Sequence, residues 1–149
     1  MEEIKVAGET TQFIVIRLGQ EQYGIDISYI ENIVRMQHIT RVPKLAPYLK
    51  GVINLRGEVI PIMCLSMKMG LPVEEETKES RIIIIKMEQC GTLGLIVDEV
   101  KEVVTLDMTE QVEKLAFKKE DKSNFVQGVG KCAGGLISLL DLNAVTAEK

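Results

Sequence analysis

Side chains that commonly carry out catalysis are few and scattered in this sequence. The single histidine is His38, and the three cysteines, Cys64, Cys90 and Cys132, include no CxxC pair. A structural zinc site requires clustered Cys and His ligands, and a disulfide framework requires cysteines that can be paired. The chain also has neither a nucleophile elbow nor a phosphate-binding glycine loop. We therefore expect no catalytic residues, no metal site and no cofactor, and the sequence does not indicate an enzyme.

Arg56 is a candidate binding residue, and an internal repeat provides a control for it. The segment Gly51–Leu65 aligns without gaps with Gly128–Leu142, and each copy is predicted to form two strands joined by a tight turn. The second copy has Ala133 at the turn position of Arg56, so the turn itself does not require arginine. A guanidinium at this turn could bind a partner or clamp a neighbouring loop. It could equally be a surface side chain on a copy that has diverged.

The repeat extends over most of the chain. The apolar run FIVIRL at residues 13–18 is matched by IIIIKM at residues 82–87, and a glycine-containing second strand follows each run. Short runs rich in β-branched residues are typical of buried strands. We therefore predict two pseudo-repeat subdomains, at about residues 12–70 and 81–143, with a polar linker at about 71–80.

Each repeat is predicted to contain about five short strands and one short helix, which makes the protein mainly β. Small all-β units of this size close into barrels, because closure removes exposed strand edges. A unit of ~65 residues is only marginally stable alone. The two barrels are therefore expected to pack together, and an exchange of strands between the repeats is left open.

The predicted helix of the first repeat begins at Ser28, with Glu31 completing a capping box, and Asp98 is the matching cap in the second repeat. Apolar residues recur along one face of each helix. This face could belong to the core, or it could line a groove between the barrels that receives an amphipathic helix of a partner. The apolar residues are Ile30, Ile33 and Val34 in the first repeat and Val97, Val100, Val103 and Val104 in the second.

Composition and charge exclude several classes of function. The net charge is −4, aromatic residues make up 4% of the chain and tryptophan is absent. Nucleic-acid-binding proteins need a basic face or aromatic platforms, so nucleic acid is not an expected partner. The N-terminus lacks the apolar central segment that a secretory signal requires. No stretch of the chain has the ~18–20 consecutive apolar residues of a transmembrane helix. We therefore expect a cytoplasmic protein that does not insert directly into the membrane.

Five segments, in this order and spacing, resemble the CheW family of adaptors in bacterial chemotaxis arrays. They are QFIVIRLGQEQYGIDI from Gln12, ITRVP from Ile39, GVINLRGEVIP from Gly51, GLIVDEVKEVV from Gly94 and LISLLDL from Leu136. The resemblance covers essentially the whole chain, from Gln12 to about Val145. It implies a single CheW-like domain over residues 1–149. Such a domain consists of two tandem, Src-homology-3-like, five-stranded barrels packed together, with short helices.

The resemblance also implies an adaptor without catalytic activity. Members of this family couple the cytoplasmic tip of methyl-accepting chemoreceptors to the histidine kinase CheA, through the regulatory domain of the kinase. The chain would then be monomeric when isolated and recruited to the inner face of the membrane through receptor arrays. The alternative is a CheW-like regulatory domain of a kinase or an adaptor fused to a receiver domain. The 149 residues, starting at Met1, favour the free-standing adaptor.

The resemblance implies two binding surfaces. The NLRG motif of the family matters for coupling to the kinase, and it corresponds to Asn54, Leu55, Arg56 and Gly57, preceded by Gly51. The groove between the barrels receives the receptor helix in the family. Its lining would be Ile30, Ile33, Val34, Gly94, Val97, Val100 and Val103.

Two departures from the family pattern bear on this site. The chain has Asn32 where the family often has glutamate, with Glu31 adjacent, and Cys64 where many members have aspartate. If the usual glutamate pairs with the arginine of the motif, this pair is in doubt here. Arg56 would then be freer to bind a partner.

Overall fold

The computed structural model describes residues 9–114, 125–133 and 135–147. The described residues form the strands β1 (Thr10–Leu18), β2 (Glu21–Asp26), β3 (Ile30–Arg35), β4 (Leu49–Leu55), β5 (Glu58–Cys64), β6 (Arg81–Met87), β7 (Gly91–Val97), β8 (Glu99–Asp107), β9 (Val112–Lys114), β10 (Val126–Cys132) and β11 (Gly135–Leu140). The helices are short: a 3₁₀ turn at Ile27–Tyr29, α1 at Leu65–Lys68 and α2 at Leu142–Thr146. Among the described residues, no helix has the length and apolar character needed to cross a membrane.

The strands form two sheets in two compact units. Unit 1 combines the described residues up to Ser28 with the described residues from Lys101 onward, and unit 2 spans Tyr29–Val100. One sheet has the order β8-β1-β2-β11-β10-β9 and the other the order β3-β6-β7-β5-β4. The expected mainly β class with short helices is confirmed. The first sheet has six strands rather than five, because the three-residue β9 adds to the edge of β10.

Each sheet combines strands of both sequence repeats. The β1–β2 hairpin of the first repeat joins β10 and β11 of the second, whereas the β6–β7 hairpin of the second joins β3, β4 and β5 of the first. The bounds of the predicted repeats, at about 12–70 and 81–143, therefore do not coincide with the bounds of the compact units. The units differ from the repeats because a hairpin is exchanged in each direction.

Two equivalent glycines let the exchanged hairpins approach their neighbours. Gly24 of β2 pairs with Leu139 of β11, and Gly94 of β7 pairs with Ile62 of β5, in both cases across parallel strands. A Cβ atom at Gly24 would lie 2.9 Å from Cδ2 of Leu139, and one at Gly94 would lie 2.6 Å from Cδ1 of Ile62. Glycine is therefore needed at both positions if the core side chains are to keep their places.

Each unit has its own cluster of buried apolar side chains. The ten residues are Phe13, Val15, Leu106, Ile137 and Leu139 in unit 1, and Ile53, Ile60, Ile62, Ile82 and Ile84 in unit 2. Alternate residues of a strand point to the same face of a sheet, which is why they meet. None is more than 2% exposed, so burial of each contributes about 1.5–3 kcal/mol. The apolar runs that predicted buried strands form β1 and β6.

The helices predicted after the two hairpins are wrong, because these segments form β3 and β8. β3 pairs antiparallel with β6, and a β-bulge lies between Ile30 and Asn32. Since a bulge inserts one residue, Ile30 and Ile33 lie on the same face, paired with Ile85 and Ile83. In the first repeat, the three-residue spacing of Ile30 and Ile33 that resembles helical periodicity therefore comes from a bulge in a strand.

The predicted helix caps are wrong for the same reason. The backbone N–H of Ser28 donates to Oδ1 of Asp26 at 2.9 Å, within a turn between two strands. Asp98 separates β7 from β8. The capping role belongs instead to Asp141, whose Oδ1 accepts a hydrogen bond from the backbone N–H of Asn143 at 3.1 Å, at the start of α2.

Candidate functional site

The β4–β5 hairpin presents Arg56 at its tip. Leu55 pairs with Glu58, so Arg56 and Gly57 form a two-residue turn. Their φ angles are +54° and +84°, and two positive values are characteristic of a type I′ turn. The backbone N–H of Gly57 donates to Oδ1 of Asn54 at 3.1 Å. Asn54 therefore closes the turn and holds Arg56 in place.

Arg56 occupies a backbone conformation that arginine disfavours. Left-handed φ values cost a residue with a Cβ about 1–2 kcal/mol, and asparagine or glycine usually fills this turn position. Gly57 fits the usual pattern, because a Cβ atom there would meet no atom within 4 Å and only its φ requires glycine. The backbone of the turn thus explains Gly57 and Asn54, but it does not explain the arginine.

A cavity of about 290 Å³ lies beside the turn. Its lining consists of Glu31, Asn32, Leu55, Arg56, Glu58, Ile60 and Ile84. The exposed guanidinium of Arg56 makes no hydrogen bond or ion pair with any residue that the structure describes. Oδ1 of Asn32 accepts a hydrogen bond from the backbone N–H of Ile33 at 2.8 Å. The cavity therefore holds carboxylates at Glu31 and Glu58 and an arginine that is available to a partner.

Gly51 has a structural task at the other end of β4. Its φ is +139°, and an added Cβ atom would overlap the carbonyl oxygen of Thr40. Thr40 and Val52 exchange two backbone hydrogen bonds, of 2.8 and 2.9 Å. Gly51 therefore allows the loop after β3 to bridge to β4, and it acts on the Arg56 turn only by positioning the strand.

The seven candidates for the receptor groove differ in exposure. Gly94 and Val97 are buried within unit 2, and Val34 is half-buried against the apolar cluster of that unit. Ile30, Ile33 and Val100 are also half-buried in unit 2. Val103 belongs to unit 1 and is 48% exposed. Direct contact with a partner is therefore open to some of these side chains, whereas Gly94 and Val97 support the sheet beneath them.

The exposed apolar side chains that the sequence reasoning missed include a pair at equivalent positions of the two hairpins, Val59 and Leu136. Val59 is 62% exposed and Leu136 is 64% exposed. They occupy equivalent positions in the aligned repeats, paired across the hairpin with Asn54 and Lys131. The sequence could have indicated their exposure, because successive side chains of a strand point to opposite faces of the sheet. Val59 and Leu136 align with each other in the repeats, and each precedes an inward-facing isoleucine. Each unit thus exposes an apolar side chain beside the turn of its own hairpin, β4–β5 in unit 2 and β10–β11 in unit 1.

The described residues contain no group of three or more His, Cys, Asp or Glu side chains that could hold a metal ion. The turn glycine of the second hairpin, Gly134, lies outside the described residues. What the described hairpins offer is a set of surface side chains suited to contact with another protein.

Comparison with known proteins agrees with this picture. Residues 12–149 match the family model of the CheW-like domain. The chain belongs to the CheW-like domain family. It is similar to the chemotaxis protein CheW of Bacillus subtilis, with 35% identity over 134 residues that cover 90% of this chain and 85% of that protein. It is also similar to the chemotaxis protein CheW of Helicobacter pylori, with 31% identity over 137 residues that cover 92% of this chain and 82% of that protein.

A solved structure of the family also matches. The crystal structure of the scaffolding protein TtCheW from Thermoanaerobacter tengcongensis has a TM-score of 0.84 and 31% sequence identity, and the match covers 93% of this chain and 94% of that chain. The resemblance found in the sequence is confirmed, and so is the expected fold of two Src-homology-3-like barrels. The CheW-like family is one of chemotaxis scaffolds and adaptors.

Proposed function

We propose that this protein is a non-enzymatic adaptor that couples the cytoplasmic tips of chemoreceptors to the histidine kinase CheA. It would be recruited to the inner face of the membrane through receptor arrays. Membership of the CheW-like family over residues 12–149 supports the proposal. The observation that carries it is the exposed guanidinium of Arg56, which has no partner among the described residues and lies on a turn that favours other residues.

The kinase-facing surface is the hairpin tip around Arg56. A guanidinium can form two parallel hydrogen bonds to a carboxylate, which gives both strength and orientation. In this proposal Arg56 contacts the regulatory domain of the kinase, and Leu55 lines the adjacent cavity. Asn54, Gly57 and Gly51 act by positioning, through the hydrogen bond and backbone conformations described above.

The proposed receptor contacts are apolar side chains of β3 and Val100 in unit 2 and, taken separately, Val103 of β8 in unit 1. An amphipathic helix buries its apolar face against such side chains. Ile30 and Ile33 share one face of β3 because of the bulge, and Val103 is exposed on β8. We assign direct contact to Ile30, Ile33, Val100 and Val103. Val34, Gly94 and Val97 hold the surface in shape from within unit 2.

Calorimetric titration with the regulatory domain of CheA from the same organism tests the kinase contact. We expect saturable one-to-one binding that Arg56→Glu weakens by about tenfold or more. Thermal stability should change little, because both residues have a Cβ and meet the same backbone strain. Lys86→Glu is the matched control, since Lys86 is an exposed cation on β6 of the same unit. Absence of binding, or an equal loss in the control, would contradict the proposed kinase contact.

Two aspartate variants test the receptor contact with a cytoplasmic hairpin fragment of a chemoreceptor. Val103→Asp should weaken binding and leave the melting temperature unchanged, because the side chain is already 48% exposed. Val34→Asp should lower the melting temperature as well, since it places a charge against the unit 2 core. Full receptor binding by Val103→Asp would remove that residue from the surface. Genuine kinase or phosphatase turnover by the isolated protein would contradict the adaptor proposal as a whole.

A further inference from the structure

Two adjoining cavities lie beside the loop that connects β3 to β4 in unit 2. The larger, of about 680 Å³, is lined mainly by residues 36–50. The smaller, of about 450 Å³, lies between the end of β3 and residues 76–81. Met36 and Glu76 line both cavities. The two cavities therefore form one continuous surface, called the β3–β4 surface below.

The β3–β4 surface has a charge opposite to that of the whole chain. Six of the 18 basic residues line it, but only two of the 22 acidic residues do so, in a chain with a net charge of −4. The basic residues are Arg35, Arg41, Lys44, Lys50, Lys78 and Arg81. Such a concentration of positive charge attracts an anionic partner.

Two arginines of the β3–β4 surface lie opposite each other. Arg35 of β3 and Arg81 of β6 are directly paired in the antiparallel register, and like charges in this position destabilise a sheet. Nη1 of Arg81 donates to the carbonyl oxygens of Lys78 and Ser80, both at 2.8 Å. The exposed Arg35 side chain has no hydrogen bond or ion pair with any described residue. An anionic group bound between the two arginines would relieve their repulsion.

The larger cavity adds an apolar component. Val42 and Leu45 line it and are 41% and 39% exposed. They alternate with the cations Arg41 and Lys44, so charged and apolar side chains follow one another along the loop. A free inorganic anion would leave the apolar side chains in water. A peptide that carries both carboxylates and an apolar side chain matches the whole surface.

We propose that the β3–β4 surface binds an acidic segment of a protein partner. Its carboxylates would bind Arg35, Arg41 and Lys44, and an apolar side chain would cover Val42 and Leu45. This site is distinct from the Arg56 turn, because the two sets of lining residues have no member in common. The proposal therefore does not depend on coupling to the kinase through Arg56.

Fluorescence anisotropy with a labelled synthetic peptide tests the proposal. The probe is rich in glutamate and has leucine at regular intervals. We expect saturable binding that the double variant Arg41→Glu/Lys44→Glu weakens by about tenfold or more at low salt. The matched control Lys86→Glu/Lys131→Glu makes the same change in net charge at exposed positions outside the surface and should leave the affinity nearly unchanged. A probe with serine in place of leucine should bind several-fold more weakly.

Four outcomes would overturn the proposal. One is unchanged affinity in the Arg41/Lys44 variant, and another is an equal loss in the control, which would indicate a general charge effect. The third is displacement of the probe by inorganic phosphate together with equal affinities for the leucine and serine probes, since this result would indicate a site for simple anions. The fourth is binding to phosphatidylserine vesicles without binding to the probe. If the double glutamate variant melts at a lower temperature, Arg41→Gln/Lys44→Gln repeats the test with a smaller perturbation.

Discussion

Replacing Arg56 with asparagine should make the protein more stable while weakening its proposed interaction with the kinase. Arg56 has a φ of +54° in the first position of a type I′ turn, where Asn-Gly is the favoured pair. A left-handed conformation costs an ordinary L-residue about 1–2 kcal/mol, and asparagine avoids a substantial part of this cost. We therefore expect the free energy of unfolding to rise by about 0.5–1 kcal/mol. For a chain of this size the melting temperature should rise by roughly 1–4 °C.

The same substitution removes the proposed contact with the kinase. A hydrogen bond to a charged group contributes about 1.5–3 kcal/mol, so the dissociation constant should increase by roughly ten- to a hundred-fold. Urea unfolding followed by circular dichroism measures the change in the free energy of unfolding. Calorimetric titration measures the change in the dissociation constant for the kinase. The informative result is that stability and affinity change in opposite directions.

Arg56→Lys is the control for this pair of measurements. It keeps the positive charge and the strained backbone, so stability should stay near that of the original protein and part of the affinity should remain. A loss of stability in Arg56→Asn would refute the reasoning, because it would mean that the guanidinium supports the fold. Unchanged affinity in Arg56→Asn would remove Arg56 from the binding surface.

Gly51→Ala should lower the free energy of unfolding by about 3 kcal/mol or more, because the new Cβ overlaps the carbonyl oxygen of Thr40; a melting temperature close to the original would contradict this. Gly94→Ala should have a smaller effect, of about 1–3 kcal/mol, since the Cβ meets flexible isoleucine side chains; urea unfolding compares the two variants. Burial, together with the hydrogen bond that its hydroxyl donates to Glu21, raises the pKa of Tyr23 to about 12 from its ordinary 10.0. The folded state thus favours the neutral phenol, so this stabilisation is present below pH 10 and is lost as the pH rises through 12. Tyr23→Phe should reduce the alkaline loss of stability measured by urea unfolding, and an identical loss in both proteins would argue against the shift.

Much of the hairpin with Arg56 could be predicted from the sequence because its signals are local. The Arg56-Gly57 dipeptide marks the turn, and the flanking apolar residues predict the strands. The strained φ of Arg56 and the hydrogen bond from the backbone N–H of Gly57 to Asn54 could be found only in the tertiary structure. The segment after the first hairpin was predicted to be a helix, because a bulge near Ile30 produces a helical spacing in a strand.

The amino-acid sequence alone was sufficient to recognise the mainly β class and the family, since both depend on the order and type of residues. It did not decide which hairpin joins which sheet. An unpaired strand edge can bond equally well to its own repeat or to the other one, and the choice depends on contacts between residues far apart in the chain. Gly24 against Leu139 and Gly94 against Ile62 are two such contacts. The β3–β4 surface exists for the same reason, because pairing of β3 with β6 brings Arg35 opposite Arg81.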